Sequence, residues 1–257
     1  MKHSIKLLLV IILPALFLSG CSAVNIQTQI TANNDNSSDC PKTVKYDGGA
    51  YDQGGGNGIF GGYYRTVKIG TQCWLKDNLN VGTMIKGTID QSDNKIIEKY
   101  CYDNNSGGCD ANGGLYQWDE AMQYYGSSSV NFDNSGNPLK NVQGICPSGW
   151  HIPNDVDWKA MIKYLGGDDV AGDKLKAASV WGDKANNSSG FSALPSGQFF
   201  GERGFVAMYG KFFLQGSGAV FWSSSYNSRW TLLKDDSKFD LGNKISTHGL
   251  SIRCIKD

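Results

Sequence analysis

The chain has 257 residues, a formal net charge of zero and 19% charged side chains. It carries no basic stripe that would neutralise a phosphate backbone, so nucleic acid is not an expected partner. Thirty-three glycines and 12% aromatic residues suit a loop-rich domain with a large aromatic core, and the length suits one domain with an N-terminal extension.

Lys2 and Lys6 stand before an apolar run from Leu7 to Leu18, and Leu18-Ser19-Gly20 leads directly into Cys21. A short positive segment, an apolar stretch and small residues at the cut make a secretory signal. A spanning helix needs about 20 apolar residues, more than this run provides. A cysteine after Leu-Ser-Gly resembles the lipobox of bacterial lipoproteins. That resemblance implies a signal peptide over 1–20 and a lipidated Cys21, with palmitate among its acyl chains. It also implies a protein lipid-anchored on the extracytoplasmic side of the bacterial cell envelope. Cleavage removes two lysines and no acid, which leaves the mature chain slightly acidic. Membrane contact then comes from the lipid, and stable anchoring needs more than one acyl chain.

Six further cysteines follow: Cys40, Cys73, Cys101, Cys109, Cys146 and Cys254. An even number in an exported chain reads as three disulfides, with about fifteen pairings open. There is no C-x-x-C, and only His151 and His248 follow the signal, so no zinc site is expected.

Residues 21–39 are polar and read as a tether that holds a folded part, 40–257, off the membrane. The Gly-rich stretch from Val44 to Gly62 lacks the Gly-Lys-Ser/Thr ending of a phosphate loop and reads as a hairpin or loop. Tyr64 to Ile69 alternates as a strand, and CWLKDNLN continues it. Over 114–125, Leu115, Trp118, Met122 and Tyr125 fall on one helical face. A second helix starts after Pro153 with Asn154 as N-cap, Asp155 and Asp157 in its first turn, and a stripe of Trp158, Met161, Ile162 and Leu165. Gly166-Gly167 ends it. A shorter helix is predicted over Val170 to Ala177. From Phe191 onward, FSALP, GFVAMYG, KFFLQ, AVFWSSS, RWTLLKDD and SIRCIKD read as short strands. Two or three helices among many short strands give an α+β class.

Several phrases add up in order: VKIGTQCWLKDNLN, YCYDNNSGGCDANGGLYQWDEAM, QGICPSGWHIPNDVDWKAM, GFSALPSG, FWSSS and SIRCIKD. Together they resemble the Fibrobacter succinogenes major paralogous domain family, over roughly Cys40 to Asp257, with Gly48 to Gly62 as an insertion. The resemblance implies a C-type-lectin-like fold, related to that of formylglycine-generating enzymes and phage receptor-binding tips. In that fold the cysteine after the first helix pairs with the one in the last strand, which implies Cys146–Cys254. Cys101 and Cys109 lie close enough to close a hairpin. Cys40 and Cys73 are left to pair with each other.

Little in the sequence points to catalysis. His151, in GWHIP, reads as a neutral histidine packed on a strand beside Trp150 and Pro153. His248 lies in a polar stretch. No nucleophile elbow is present. Pairing uses all six cysteines, and formylglycine-generating chemistry needs reactive ones. Asp119-Glu120, Asp168-Asp169 and Asp235-Asp236 read as caps or turns, not as a glycosidase pair across a cleft. Calcium-dependent lectins use Glu-Pro-Asn or Gln-Pro-Asp with Trp-Asn-Asp. Neither occurs, and Trp222-Ser223-Ser224 stands in the last place. Asp168, Asp169 and Asp173 are explained by helix capping, so no metal and no cofactor are expected. Trp222 is expected in the core. Tyr226, Arg229 and Trp230 are expected ligand contacts, with the irregular stretch from Gly182 to Gly190. The expected function is calcium-independent, non-catalytic binding of a glycan or surface protein by a lectin-like domain. The alternatives are a structural envelope lipoprotein without a soluble ligand, and an enzyme with an unrecognised site.

Overall fold

Short alternating segments set the architecture. β1 (Thr43–Lys45) pairs antiparallel with β2 (Tyr63–Ile69). Gly70, at φ 62°, turns β2 back into β3 (Gln72–Leu75). The structure is a computed structural model that describes residues 39–47, 62–125, 132–133, 137–138, 140–243 and 245–257. The expected signal peptide, Cys21, the tether up to residue 38 and most of the Gly-rich stretch lie outside the described residues.

β4 (Thr83–Ile85) and β5 (Glu98–Tyr100) form a parallel pair. A 3-10 turn over Tyr102–Asn104 leads into α1 (Ser106–Asn112), and α2 (Trp118–Ala121) is a single turn. β6 (Trp150–His151) precedes α3 (Asp155–Tyr164), α4 (Asp168–Leu175) and α5 (Ala178–Trp181). The chain then forms β7 (Ser196–Phe200), β8 (Lys211–Gln215), β9 (Gly218–Trp222), β10 (Ser228–Leu233), β11 (Asp240–Asn243) and β12 (Ile255–Lys256). One five-stranded sheet runs β1-β2-β3-β12-β6, and another runs β11-β10-β9-β7-β8. All pairings in the two are antiparallel except β7 with β9. The class is therefore α+β, as the pattern indicates.

α3 follows its sequence signals closely. The Asn154 side chain accepts from Val156 N at 2.8 Å and Asp157 N at 3.1 Å, and Asp157 Oδ2 accepts from Asn154 N at 2.9 Å. This capping box satisfies donors that the first turn leaves open. Its inner face buries Trp158, Met161 and Ile162. The Trp158 ring lies 4.7 Å from Trp74, 5.4 Å from Phe239 and 5.8 Å from Phe221. A second buried cluster gathers Leu75, Leu79, Tyr116, Trp118, Ile252 and Trp222.

Three local expectations need correction. Of 114–125, only Trp118–Ala121 is helical; Leu115 and Tyr116 pair instead with Tyr100 and Leu250. GFVAMYG is a turn segment and not a strand, with Val206 85% exposed. FSALP contributes a single bridge, Ala193 to Lys176.

Cys40–Cys73, Cys101–Cys109 and Cys146–Cys254 are bonded, as expected; the resemblance implies the last of them, closeness in sequence the second, and the first is what remains. Cys101–Cys109 closes the 3-10 turn and α1, however, where a hairpin was expected.

The α3 geometry yields a paired prediction. Trp158→Ala should cost roughly 3–5 kcal/mol by emptying the centre of an aromatic cluster. Asn154→Ala should cost roughly 1 kcal/mol by removing the cap. Denaturant unfolding of both variants measures the contrast, and equal small losses would contradict the assignment.

Candidate ligand groove

The turn between β9 and β10 is held by its own hydrogen bonds and by α3. Ser228 N donates to Ser225 O at 3.1 Å, and Ser223 N donates to Ser228 O at 3.1 Å. Asn227 sits at φ 57°, a left-handed conformation that Asn tolerates well. The turn is tied to α3 through Asp155, whose carboxylate accepts from Ser228 Oγ at 2.7 Å and Trp230 Nε1 at 3.0 Å. Ser224 N also donates to Pro153 O at 2.8 Å. The outcome is an exposed Tyr226, 55% accessible, on a fixed base. Its ring packs edge-on to Trp118 at 5.6 Å.

Tyr226 and Asn227 form one wall of an open groove of about 740 Å³, with Phe200, Glu202, Asn243, Ile245, Ser246 and His248. The end of β7 lies directly against the 245–248 segment. A Cβ on Gly201 would sit 1.8 Å from Thr247 O, so only glycine permits this approach. His248 is buried edge-on to Phe200 at 4.4 Å. The groove thus combines aromatic surface with amides, a hydroxyl and one carboxylate.

The expected site residues separate. Tyr226 lines the groove. Trp230 does not: it is 2% exposed, hydrogen-bonded to Asp155 and packed 5.2 Å from Phe239. Strand alternation on β10 points Ser228, Trp230 and Leu232 inward, which corrects Trp230 from ligand contact to core. Arg229 is half-buried on the opposite face of β10, over Gly242, with its guanidinium bonded to Thr231 Oγ1; it does not line the groove. The Gly182 to Gly190 stretch packs on α4 instead, where Ser189 Oγ donates to Lys174 O at 2.6 Å and Asn186 N donates to Asp173 O at 3.0 Å. Trp222 is fully buried, as expected. Glu202, Asn243, Ser246 and His248 carried no sequence signal as site residues, whereas Asn227 could have been found from its turn chemistry.

His151 lies buried on β6, with Asp257 Oδ1 2.7 Å from Nδ1 and Asp157 Oδ2 3.4 Å from Nε2. It clamps the capping box to the last strand, a more polar setting than simple packing. Asp168 and Asp169 occupy the first turn of α4, and Asp173 lies near the Lys176 ammonium. Among the described residues no group of three His, Cys, Asp or Glu side chains could hold a metal ion. Among them no helix is long and apolar enough to cross a membrane.

A smaller cleft of about 260 Å³ lies at Ser92, Asp93, Lys95, Ile96, Glu120, Gln123 and Tyr124. Burial pushes the Glu120 carboxyl up to about 7. Both its oxygens are engaged, by Glu98 N at 3.1 Å and Tyr124 Oη at 2.8 Å. Burial also raises Asp119. Glu120 therefore acts as a proton-linked structural group beneath this cleft.

Residues 67–256 match the Fibrobacter succinogenes major domain, and the chain belongs to that family. No curated protein and no solved structure matches it.

Glu120 sets a pH dependence with a defined sign. Its folded value lies above the ordinary 4.5, so its contribution is full below that value and fades as pH rises through about 7. Wild type should lose roughly 3 kcal/mol of stability from this group over that window. Glu120→Gln should flatten most of the slope and leave a residue from Asp119. Denaturant midpoints measured from pH 4 to 8 test this, and an unchanged slope in the variant would refute it.

Proposed function

We propose that this family member is a lipid-anchored envelope protein whose domain binds a glycan without calcium and without catalysis. The observation that carries the reading is the groove itself. It is lined by an exposed Tyr226 ring and by Phe200, with Asn227, Asn243, Ser246 and Glu202. Aromatic rings stack on the apolar face of a pyranose, and amides, hydroxyls and carboxylates bond its hydroxyls. A C-type-lectin-like fold is part of this proposal. Its support is the Cys146–Cys254 bond between the segment before α3 and the end of the chain, together with the irregular stretches 182–195 and 201–210 on either side of β7. Function in such a fold lives in its loops, so the fold alone names no ligand. Calcium independence is supported by Trp222-Ser223-Ser224, where hydroxyls replace the carboxamide and carboxylate of the calcium lectins. Anchoring is supported by Leu18-Ser19-Gly20-Cys21 after an apolar run.

Screening the purified chain on a glycan array tests the binding proposal. Tyr226→Ala should weaken the strongest hit at least tenfold with little change in thermal midpoint, and EDTA should leave affinity unchanged. Loss of binding in EDTA would reveal a metal requirement that this reading excludes.

Anchoring has its own test. Cys21→Ser should move the protein from the membrane to the soluble fraction, and intact mass of the wild-type N-terminal peptide should include acyl chains. Unacylated, soluble wild type would contradict the anchor.

A further inference from the structure

We infer that the loop after β7 is a membrane-docking surface, which seats the domain on the bilayer that holds its lipid. This inference rests on the anchoring proposal. Phe205, Val206, Ala207 and Met208 are consecutive and all exposed, Val206 at 85%. Ile89 is exposed too, at 55%. These side chains belong to two segments that touch. Gly87 and Gly210 meet backbone to backbone: a Cβ on either would sit 3.0 Å from the carbonyl oxygen of the other. Asp90 accepts from Arg203 Nε at 3.0 Å and from Tyr209 Oη at 3.1 Å, and the Arg203 guanidinium stacks 5.0 Å over the Tyr209 ring. Met208 N and Tyr209 N donate to Phe205 O at 2.8 and 3.0 Å, which closes the turn on itself. The Phe205 ring packs edge-on to Phe200 at 6.2 Å. An internally bonded loop thus holds apolar side chains outward. Single exposed apolar residues need no explanation, but a contiguous patch marks a contact surface.

Tether length and charge favour the bilayer as the occupant. Fully extended, the chain from Cys21 to Asp39 spans at most about 60 Å. A lipid on Cys21 therefore keeps the domain within that distance of the membrane. Contact becomes an intramolecular event that needs little affinity of its own. Lys86 precedes Gly87 and Lys211 follows Gly210, and both lysines are exposed, so two cations flank the junction of the two segments. Phe, Val, Ile and Met side chains enter the acyl boundary while flanking lysines meet anionic headgroups, the division of roles that holds a monotopic protein in the interface. Asp90, the acid at this junction, is paired with Arg203.

The test uses tryptophan as a depth probe. All seven native tryptophans are 3% exposed or less, so Val206→Trp adds one exposed reporter. The full-length protein is reconstituted into vesicles of phosphatidylethanolamine and phosphatidylglycerol, with and without bromine on the acyl chains. Val206→Trp should lose roughly half of its added emission to the bromine. Val180→Trp, on an exposed position of α5, should lose little. Ile89→Asp, on the other segment, should reduce the Val206→Trp quenching about threefold or more without lowering the thermal midpoint. Lys86→Gln with Lys211→Gln should reduce it in these anionic vesicles and leave it unchanged in phosphatidylcholine vesicles. Equal quenching of both reporters, or quenching of neither, would overturn the inference while the anchor stands. An unquenched Val206→Trp in a detergent-stable dimer that Ile89→Asp dissociates would overturn it in favour of a second copy of the chain. Unacylated, soluble wild type would overturn the anchor and this inference with it.

Discussion

One buried cation holds the centre of the molecule. Arg253 is 1% exposed, and among the described residues its guanidinium meets no carboxylate. It donates to Asn78 Oδ1, to Leu75 O at 3.1 Å, to Phe191 O at 2.8 Å and to Ser192 O at 3.2 Å, and it stacks 4.4 Å over the Phe191 ring. Burial lowers it to about 9; Asp77 nearby opposes that shift, and Arg65 adds to it. A planar fork with five donors suits this role, because each arm can end on a different stretch of chain. The segment after β3, the loop before β7 and the segment before β12 thus meet on a single side chain. Cys254, its neighbour, adds the covalent link to Cys146. Buried charges persist only where hydrogen bonds replace water, and here backbone carbonyls do most of that.

Lys176 repeats the device at the edge of the other core cluster. It is fully buried, near the Asp173 carboxylate and the carbonyls of Lys234 and Asp236, with its ammonium 5.5 Å over Trp181. Loops of this fold are long and carry few regular hydrogen bonds, so internal cations organise their carbonyls. The groove walls come from the end of β7, the β9–β10 turn, Asn243 and the 245–248 segment, and the turn is tied to α3 through Asp155.

The legible parts of the sequence were those governed by local physics. The capping box before Trp158 and the Gly166-Gly167 stop mark α3 because a helix end must satisfy its own backbone groups. The even set of cysteines announces disulfides for the same reason of local chemistry, although Cys146–Cys254, the longest-range pair, is legible only through family resemblance. Segments whose backbone is claimed by distant partners were harder to read. Leu115 and Tyr116 sit in a helical pattern, yet Tyr100 and Leu250 take their hydrogen bonds. In GFVAMYG the apolar residues suggested a strand, but the Asp90–Arg203–Tyr209 cluster bends the segment outward. Trp230 was misplaced although RWTLL alternates; reading Trp230 with Leu232 as one inward face would have placed it correctly. The groove itself joins residues more than forty positions apart, and no spacing rule marks it.

The packing of Tyr226 on Trp118 has an optical consequence. Trp118 is buried, its indole donates to Ser223 O at 3.0 Å, and its ring packs edge-to-face with the more than half exposed Tyr226. Anything stacked on Tyr226 therefore alters the surroundings of a fixed indole one ring away. The domain carries its own fluorophore against the groove wall, and occupancy can be followed through native emission without attaching a dye.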